Sequence, residues 1–156
     1  MDDIFAIQML KAAYFRAIDT KDWDLLRSVM LEDVEIDVTD DVEDGQPYVG
    51  RTRFVETCAR VLRDAVTVHH GHMPEIHVTG DTATGIWAME DYVDWGPAED
   101  GTPRAFRGYG HYHERYVKRS DGPWRIAALQ LTRLRRDWLQ SSRNPPGPVT
   151  VERLDE

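Results

Sequence analysis

The chain has little of several features that would assign it at once to a known class. Its 156 residues include a single cysteine, Cys58, so no disulfide can form within the chain. One cysteine fits a reducing compartment, and its place in an apolar helical pattern indicates a small packed residue rather than a nucleophile. No uninterrupted apolar run approaches the ~20 residues of a membrane-spanning helix. The first charged residues are acidic, whereas a signal peptide begins with basic ones, so we expect a cytoplasmic protein.

Positive charge is scarce as well. The chain has 28 acidic and 19 basic residues, which gives a formal net charge of -9. Such an excess disfavours a nucleic-acid partner and docking on an anionic membrane. The most concentrated cationic run, residues 133–136, is short and lies where a strand is predicted to end. The length fits one domain that buries a core and leaves room for a pocket.

The first part of the chain carries helical patterns. Apolar residues spaced three and four apart predict a helix over residues 3–19 and another over about 52–64. Asp22 is a suitable N-cap for a short helix between them. Alternating apolar residues over 34–38 predict a strand. The acidic segment 40–50 contains glycine and proline and is predicted to be a loop.

From residue 66 onward apolar and polar residues alternate, which predicts strands. The strand-like segments cover roughly residues 66–79, 82–96, 105–118 and 123–136. Helices followed by long antiparallel strands predict an α+β fold, in which the helices pack on one face of a curved sheet that wraps as a cone around a pocket. We expect residues 1–140 to form this domain and the Pro-rich residues 141–156 to form an extended arm.

A histidine-rich run lies in the first of these predicted strands. His69, His70 and His72, with His77 nearby, are numerous enough to bind a metal, but no carboxylate or cysteine lies at a recognisable ligand spacing. Alternation places His69 on the opposite face from His70 and His72. An imidazole titrates near neutral pH, so we expect a general base there and neither a metal nor a cofactor. The roles of four other residues stay open: His70, His72, His111 and His113.

Two further candidates lie on the first predicted helix, Tyr14 on its apolar face and Asp19 at its end. Each has an ordinary interpretation, as a core tyrosine and as a turn aspartate. Asp22 already suits the cap of the next helix, however, and a negative charge at a helix C-terminus is unfavourable by ~0.3–1 kcal/mol. With His69, these residues supply a proton donor, an orienting charge and a base. Such a set can move a proton beside a carbonyl without a cofactor.

Two predicted strand faces are apolar except for one charged residue each. Buried charges need a partner or a task. Asp91 is expected either at a sheet edge, paired with an arginine of the neighbouring strand, or in the pocket. Arg133 is expected either exposed at a strand end or in the pocket. The large apolar residues of the same two faces are the predicted substrate-binding wall: Trp87, Met89, Leu129 and Leu131.

Residues 14–23, 69–76 and 81–87 together resemble the SnoaL-like branch of the NTF2-like superfamily, and the similarity extends over residues 4–136. The closest likeness is to the bacterial bile-acid 7-alpha-dehydratase, and scytalone dehydratase is a more distant relative. The resemblance implies the cone-shaped fold. Ile18 stands where scytalone dehydratase has a tyrosine, so scytalone is not the expected substrate.

The resemblance also implies roles for four residues. Tyr14, Asp19 and His69 fall on the positions of the tyrosine, aspartate and histidine proposed as catalytic in the bile-acid dehydratase, and Arg133 falls on its pocket arginine. In this interpretation His69 is the base and Asp19 orients it. Tyr14 hydrogen-bonds the carbonyl oxygen as charge develops there, and Tyr14, Arg133 or the protonated His69 assists departure of the leaving group.

The function implied by the resemblance is a cofactor-independent dehydratase. It would remove water by β-elimination from a bulky, apolar, steroid-like or polyketide-like hydroxy-carbonyl compound. An isomerase or aldol cyclase that uses the same enolate is an open alternative, as is a small-molecule-binding protein of the same fold without activity. An open curved sheet leaves a face to cover, so we expect a homo-oligomer, and the relatives suggest a trimer or a dimer.

Overall fold

The computed structural model describes residues 2–41, 46–120 and 122–140. Its helices are α1 (Asp3–Thr20), α2 (Trp23–Ser28) and α3 (Arg51–Val61), with a short 3-10 helix at Thr39–Asp41. Its strands are β1 (Met30–Asp37), β2 (Tyr48–Val49), β3 (Val66–Gly71), β4 (Glu75–Thr79), β5 (Thr82–Asp94), β6 (Ala105–Lys118) and β7 (Trp124–Trp138). The predicted arm, residues 141–156, lies outside the described residues.

The junction between α1 and α2 forms where the sequence indicates it. Lys21 ends α1 in the left-handed conformation, with a φ of 61°. Asp22 caps α2 as predicted, since its carboxylate accepts a hydrogen bond from the backbone N–H of Leu25 at 3.0 Å. The carboxylate of Asp19, in the last turn of α1, is therefore available for a contact outside the helices.

The strands form one open, mixed sheet in the order β2-β1-β7-β6-β5-β3, and β4 also pairs with β5. Neighbouring strands are antiparallel except for β1 and β7, which are parallel. The three helices pack on this curved sheet, so the predicted α+β cone is confirmed. None of the described helices is long and apolar enough to cross a membrane.

The single strand predicted over residues 66–79 is wrong in one respect, because the structure divides it into β3 and β4. Both pair with the same edge of β5. The interruption at residues 72–74 contains Pro74, which has no backbone N–H to give to the ladder. The predicted alternation in β3 is nevertheless confirmed. Thr67 is buried and His69 is half-buried, while Val68 and His70 are exposed.

Two β-bulges in β7 decide which of its residues face the helices. One extra residue at Ala127 and another at Leu134 interrupt the pairing with β6. Each extra residue reverses the alternation of side chains beyond it. Arg133 and Arg136 therefore face the same side of the sheet although they are three residues apart. A strict period of two would have placed these arginines on opposite sides.

Candidate active site

A cavity of about 260 Å³ lies between α1, α3 and the inner face of the sheet. Most of its wall is apolar or aromatic, with side chains from the helices and from β5, β6 and β7: Ile18, Phe54, Leu62, Val93, Phe106 and Leu131. A few polar groups converge on this wall, and they come from α1, β3, β5, β6 and β7. Such a lining is typical of a site for a small organic molecule.

Asp19 and His69 meet at this wall. The Asp19 Oδ1 atom lies 2.7 Å from His69 Nδ1, and Asp19 Oδ2 accepts a hydrogen bond from the backbone N–H of His69 at 2.9 Å. The Thr67 hydroxyl donates to Asp19 Oδ1 at 3.0 Å and accepts from the Lys21 ammonium at 3.0 Å. Three hydrogen bonds therefore fix this carboxylate against β3, and they tie the end of α1 to the sheet.

The partner of Nδ1 decides the state of the His69 ring. A carboxylate can only accept, so Nδ1 carries a proton, and in the neutral ring Nε2 presents a lone pair. No residue that the structure describes hydrogen-bonds Nε2, and the side chain is 9% exposed and lines the cavity. The ring also stacks on Phe15, with ring centroids 6.2 Å apart and planes 14° apart. His69 is thus held as an oriented base.

Two phenols face the same cavity, Tyr14 from α1 and Tyr112 from β6. Their ring centroids are 6.3 Å apart and the rings meet edge to face. Burial raises the pKa of each phenol well above its ordinary value, so both hydroxyls stay protonated and can donate hydrogen bonds. Neither hydroxyl makes a hydrogen bond with any described residue. Tyr112 is not among the residues predicted from the sequence, although the alternation of β6 could have placed it inside.

Arg133 occupies another part of the wall, and two carboxylates surround it. Its guanidinium donates to both oxygens of Asp91, at 2.8 and 2.7 Å, and to both oxygens of Asp41, at 2.9 and 2.7 Å. A further N–H points at the Met89 sulfur, 3.8 Å away. Although burial alone would lower the pKa of Arg133, these hydrogen bonds raise it above its ordinary value. All five of its N–H groups have acceptors.

Asp91 links the two parts of the wall. It is 3% exposed and lies directly opposite His69 in the β3–β5 ladder. Its other neighbour in the sheet is Gly108. A Cβ atom at Gly108 would lie 2.3 Å from the Arg133 guanidinium and 2.4 Å from the Asp91 carboxylate, so only glycine leaves room for this ion pair. Asp91 is therefore not at a sheet edge, and its arginine comes from β7 rather than from the adjacent strand.

The other predicted site residues lie elsewhere. Of the predicted substrate-binding wall, Leu131 lines the cavity, whereas Trp87, Met89 and Leu129 are buried but do not line it. His70 is on the outer face of the sheet, 3.8 Å from Glu90. Three further histidines also lie outside the cavity: His72, His111 and His113. In the described ranges, no three histidine, cysteine, aspartate or glutamate side chains are grouped so that they could hold a metal ion.

The fold and the cavity define a member of the NTF2-like superfamily, a helix-covered cone with a pocket inside. A model of the SnoaL-like domain matches residues 1–130, and the chain therefore belongs to the SnoaL-like family.

Solved structures share this fold. A hexachlorocyclohexane dehydrochlorinase, LinA type 2, superposes with a TM-score of 0.75 and is 23% identical over 91% of this chain and 93% of its own. A protein assigned as a scytalone dehydratase from Novosphingobium aromaticivorans superposes with a TM-score of 0.73 and is 20% identical over 94% of both chains. Rv3472 from Mycobacterium tuberculosis, a protein of unknown function, superposes with a TM-score of 0.67 and is 29% identical over 85% of this chain and 76% of its own.

Proposed function

We propose that this protein is a cofactor-independent dehydratase that removes water by β-elimination from an apolar hydroxy-carbonyl compound. The observation that carries the proposal is the Asp19–His69 pair, in which the carboxylate holds Nδ1 and leaves Nε2 without a partner among the described residues of the cavity. A base oriented in this way is what abstraction of a proton beside a carbonyl requires.

The elimination proceeds in two steps. His69 Nε2 takes the proton from the carbon beside the carbonyl, and the electron pair of the broken C–H bond forms an enolate. Asp19 stabilises the imidazolium that results, while Tyr14 and Tyr112 donate hydrogen bonds to the enolate oxygen. The enolate then reforms the carbonyl, the C–O bond at the β-carbon breaks, and the imidazolium returns its proton to the departing hydroxide. Water leaves and His69 is neutral again.

In this mechanism Arg133 acts through its carboxylate partners. Because Asp91 and Asp41 accept from its side-chain nitrogens, the guanidinium has no spare N–H for a substrate oxygen. It keeps the charge of Asp91 paired beside His69, and it ties the 3-10 helix to the sheet at the cavity wall. We therefore assign Arg133 a positioning role in place of direct assistance to the leaving group.

The likeness to the bile-acid 7-alpha-dehydratase supports a steroid-like substrate, and the apolar lining supports a flat hydrophobic one. The cavity volume of about 260 Å³ lies just below the ~300–1,000 Å³ that is usual for small-molecule sites. One or two rings that carry the hydroxyl and the carbonyl fit inside it. The remainder of a four-ring substrate would extend through the mouth of the cavity.

The LinA fold neighbour is named a dehydrochlorinase, which is another elimination enzyme. A base of the same kind serves either leaving group, so chlorinated cyclic compounds belong among the candidate substrates. An isomerase or aldol cyclase would begin with the same proton abstraction. Product mass separates these activities, since only a dehydratase product is lighter than its substrate by one water.

We also propose a homo-oligomer, either a dimer or a trimer. The outer face of the sheet exposes Val66, Val68 and Ile86, at 45%, 39% and 37% of their surface. Exposed apolar residues on the outer face of an open sheet are commonly covered by a second copy of the chain. Light scattering coupled to size-exclusion chromatography measures the mass directly, and a monomer at micromolar concentration would contradict the proposal.

The experiment that tests the dehydratase is an absorbance scan with hydroxylated 3-oxo-steroids, cyclic β-hydroxyketones and chlorinated cyclohexanes. A conjugated-enone band should appear with one of the hydroxy-ketones. In His69→Ala the rate at which this band appears should fall by ~10²–10⁴-fold. His70→Ala is the matched control, because His70 is adjacent in the chain but exposed on the outer face. A His69→Ala protein with undiminished turnover would exclude the proposed base.

A further inference from the structure

A lysine is completely buried beneath the cavity. Lys11 lies on the inner side of α1 with 0% of its surface exposed, and its ammonium forms an ion pair with Glu114 of β6. Glu114 also accepts a hydrogen bond from the Tyr116 hydroxyl, which in turn accepts from the Trp87 indole at 2.8 Å. The mechanism proposed above uses none of these four residues.

Stability alone does not explain this ion pair. Taking two charges out of water costs several kcal/mol per ion, and apolar residues of similar volume often serve a core equally well or better. Desolvation lowers the pKa of Lys11, and the charge and hydrogen bond of Glu114 oppose that effect. Glu114 in turn has a donor on each side, Lys11 and Tyr116. Desolvation is the larger of these effects on the pKa of Lys11, and the contact with Glu114 is what places the ammonium at this point of the core.

The ammonium of Lys11 lies against three aromatic rings. Its nitrogen is 4.2 Å from the ring centroid of Tyr14, 4.6 Å from that of Phe15 and 3.7 Å from that of Tyr112. Two of these rings belong to the phenols that face the cavity. A cation over a ring face is attracted to its electron density, and the attraction grows as the ring becomes richer in electrons. A phenol becomes richer in electrons as its O–H group donates to a negatively charged oxygen.

We propose that Lys11 is a positioning residue of the active site, held by Glu114, which strengthens Tyr14 and Tyr112 as hydrogen-bond donors to an anionic oxygen in the cavity. For the reaction in which that oxygen is an enolate, the inference rests on the proposed dehydratase. The binding preference itself does not, since any phenolate or enolate of suitable size would show it. Lys11 acts from behind the rings and does not touch the substrate.

The test uses 2-naphthol as the probe, because its neutral and ionised forms differ in absorbance and fluorescence. We compare the wild-type protein with Lys11→Gln/Glu114→Gln, in which two amides keep hydrogen-bonding groups but carry no charge. The wild-type protein should bind naphtholate about tenfold more tightly than the double variant, while neutral naphthol binds equally to both. The apparent pKa of bound naphthol should then be lower in the wild-type protein by about one unit, which corresponds to the tenfold ratio of affinities.

A second lysine pair provides the matched control. Lys118 and Asp3 also join β6 to α1, 3.3 Å apart, and Lys118 lies 5.9 Å from the Trp124 ring, away from the cavity. Lys118→Gln/Asp3→Asn should leave naphtholate binding unchanged. If the double amide variant does not fold, Lys11→Met/Glu114→Met provides the same comparison with apolar side chains.

Three results overturn the inference: equal naphtholate affinity with and without the Lys11 pair, an equal loss in the Lys118 control, or no binding of naphtholate to the wild-type protein. The proposed dehydratase can fail separately. A protein that binds naphtholate as expected but turns over no hydroxy-ketone refutes the dehydratase and supports the role of Lys11. A protein that dehydrates its substrate equally well without the pair, and shows no naphtholate preference, refutes only the inference.

Discussion

Two polar clusters face the same cavity, and they differ in what they leave unused. In the first, Asp19 holds His69 and one ring nitrogen has no partner among the described residues. In the second, Asp91 and Asp41 hold Arg133 and every guanidinium N–H has an acceptor. Both contain carboxylates that are fixed by hydrogen bonds. Only a group with an unused lone pair or proton can react with a ligand, so the first cluster is suited to chemistry and the second to holding the wall in place.

The comparison predicts a large loss of activity from a small change in the first cluster. In Asp19→Asn an amide replaces the carboxylate, so the group beside His69 loses the negative charge that stabilises the imidazolium, and its NH2 group can donate to Nδ1 and select the other tautomer. We expect the rate of elimination to fall on the order of 10²–10⁴-fold, while the substrate still binds. Steady-state kinetics with the substrate found in the panel measures the two effects as kcat and KM.

Asp22→Asn is the control for this variant. Asp22 lies three residues later and caps α2, where asparagine caps nearly as well. Its activity and stability should match those of the wild-type protein. A similar loss of rate in both variants would show that the junction between α1 and α2 matters as a whole, and that the Asp19–His69 hydrogen bond has no special role.

The second cluster should show the opposite response, a loss of stability. Arg133→Met leaves the buried carboxylate of Asp91 without its cation, whereas Asp41 keeps its ion pair with Arg136. Breaking a buried ion pair from one side costs about 3–5 kcal/mol. Urea unfolding followed by tryptophan fluorescence measures this change in the free energy of unfolding.

Arg135→Met is the control, because Arg135 is two residues away and its side chain is 72% exposed. Exposed ion pairs contribute about 0–1 kcal/mol to the free energy of unfolding. Equal stabilities of the two variants would contradict the structural assignment of Arg133.

The difference between the clusters also separates what the sequence could predict from what it could not. The cap at Asp22, the inward face of β3 and the position of the three helices before the long strands depend on residues close together in the chain, and they are confirmed. The resemblance indicated Asp19 and His69, which are 50 residues apart, and the structure brings them together. A local pattern alone could not have paired them.

The partners of Arg133 were beyond the reach of the sequence for a physical reason. Asp41 is 92 residues away in the chain, and Asp91 is 42. The bulge at Leu134 and the space above Gly108 exist only once β6 and β7 have paired. The predicted apolar wall was incomplete for the same reason. Trp87, Met89 and Leu129 are on the buried face of the sheet. Residues of that face pack in the core or line the cavity, and an alternation with a period of two does not distinguish core residues from cavity residues.

A phenol on the cavity wall should show an intermediate effect. Tyr14→Phe removes one donor to the developing enolate oxygen and leaves Tyr112 in place, so we expect a loss of about tenfold or more in kcat with little change in stability. Tyr109→Phe on β6 is the control, since Tyr109 does not line the cavity. If kcat falls in neither variant, Tyr14 does not stabilise the enolate oxygen. Tyr112→Phe then measures whether Tyr112 does so alone.

The last prediction concerns reactivity and leaves catalysis unchanged. Cys58 lies on the α3 wall of the cavity, and its thiol interacts electrostatically with Lys21, the lysine that donates a hydrogen bond to Thr67 beside Asp19. Burial raises the pKa of this thiol to about 12. Because only the thiolate reacts, alkylation of the folded protein by iodoacetamide at pH 8 should be about 10³-fold slower than that of the unfolded chain. The alkylation rate should keep rising tenfold per pH unit above pH 9, where the rate for an ordinary thiol levels off.

The chain has one cysteine, so the label reports this site alone. Bound 2-naphthol should slow the reaction further if the ligand lies beside His69, and an unchanged rate with bound naphthol would place the ligand near Arg133 instead.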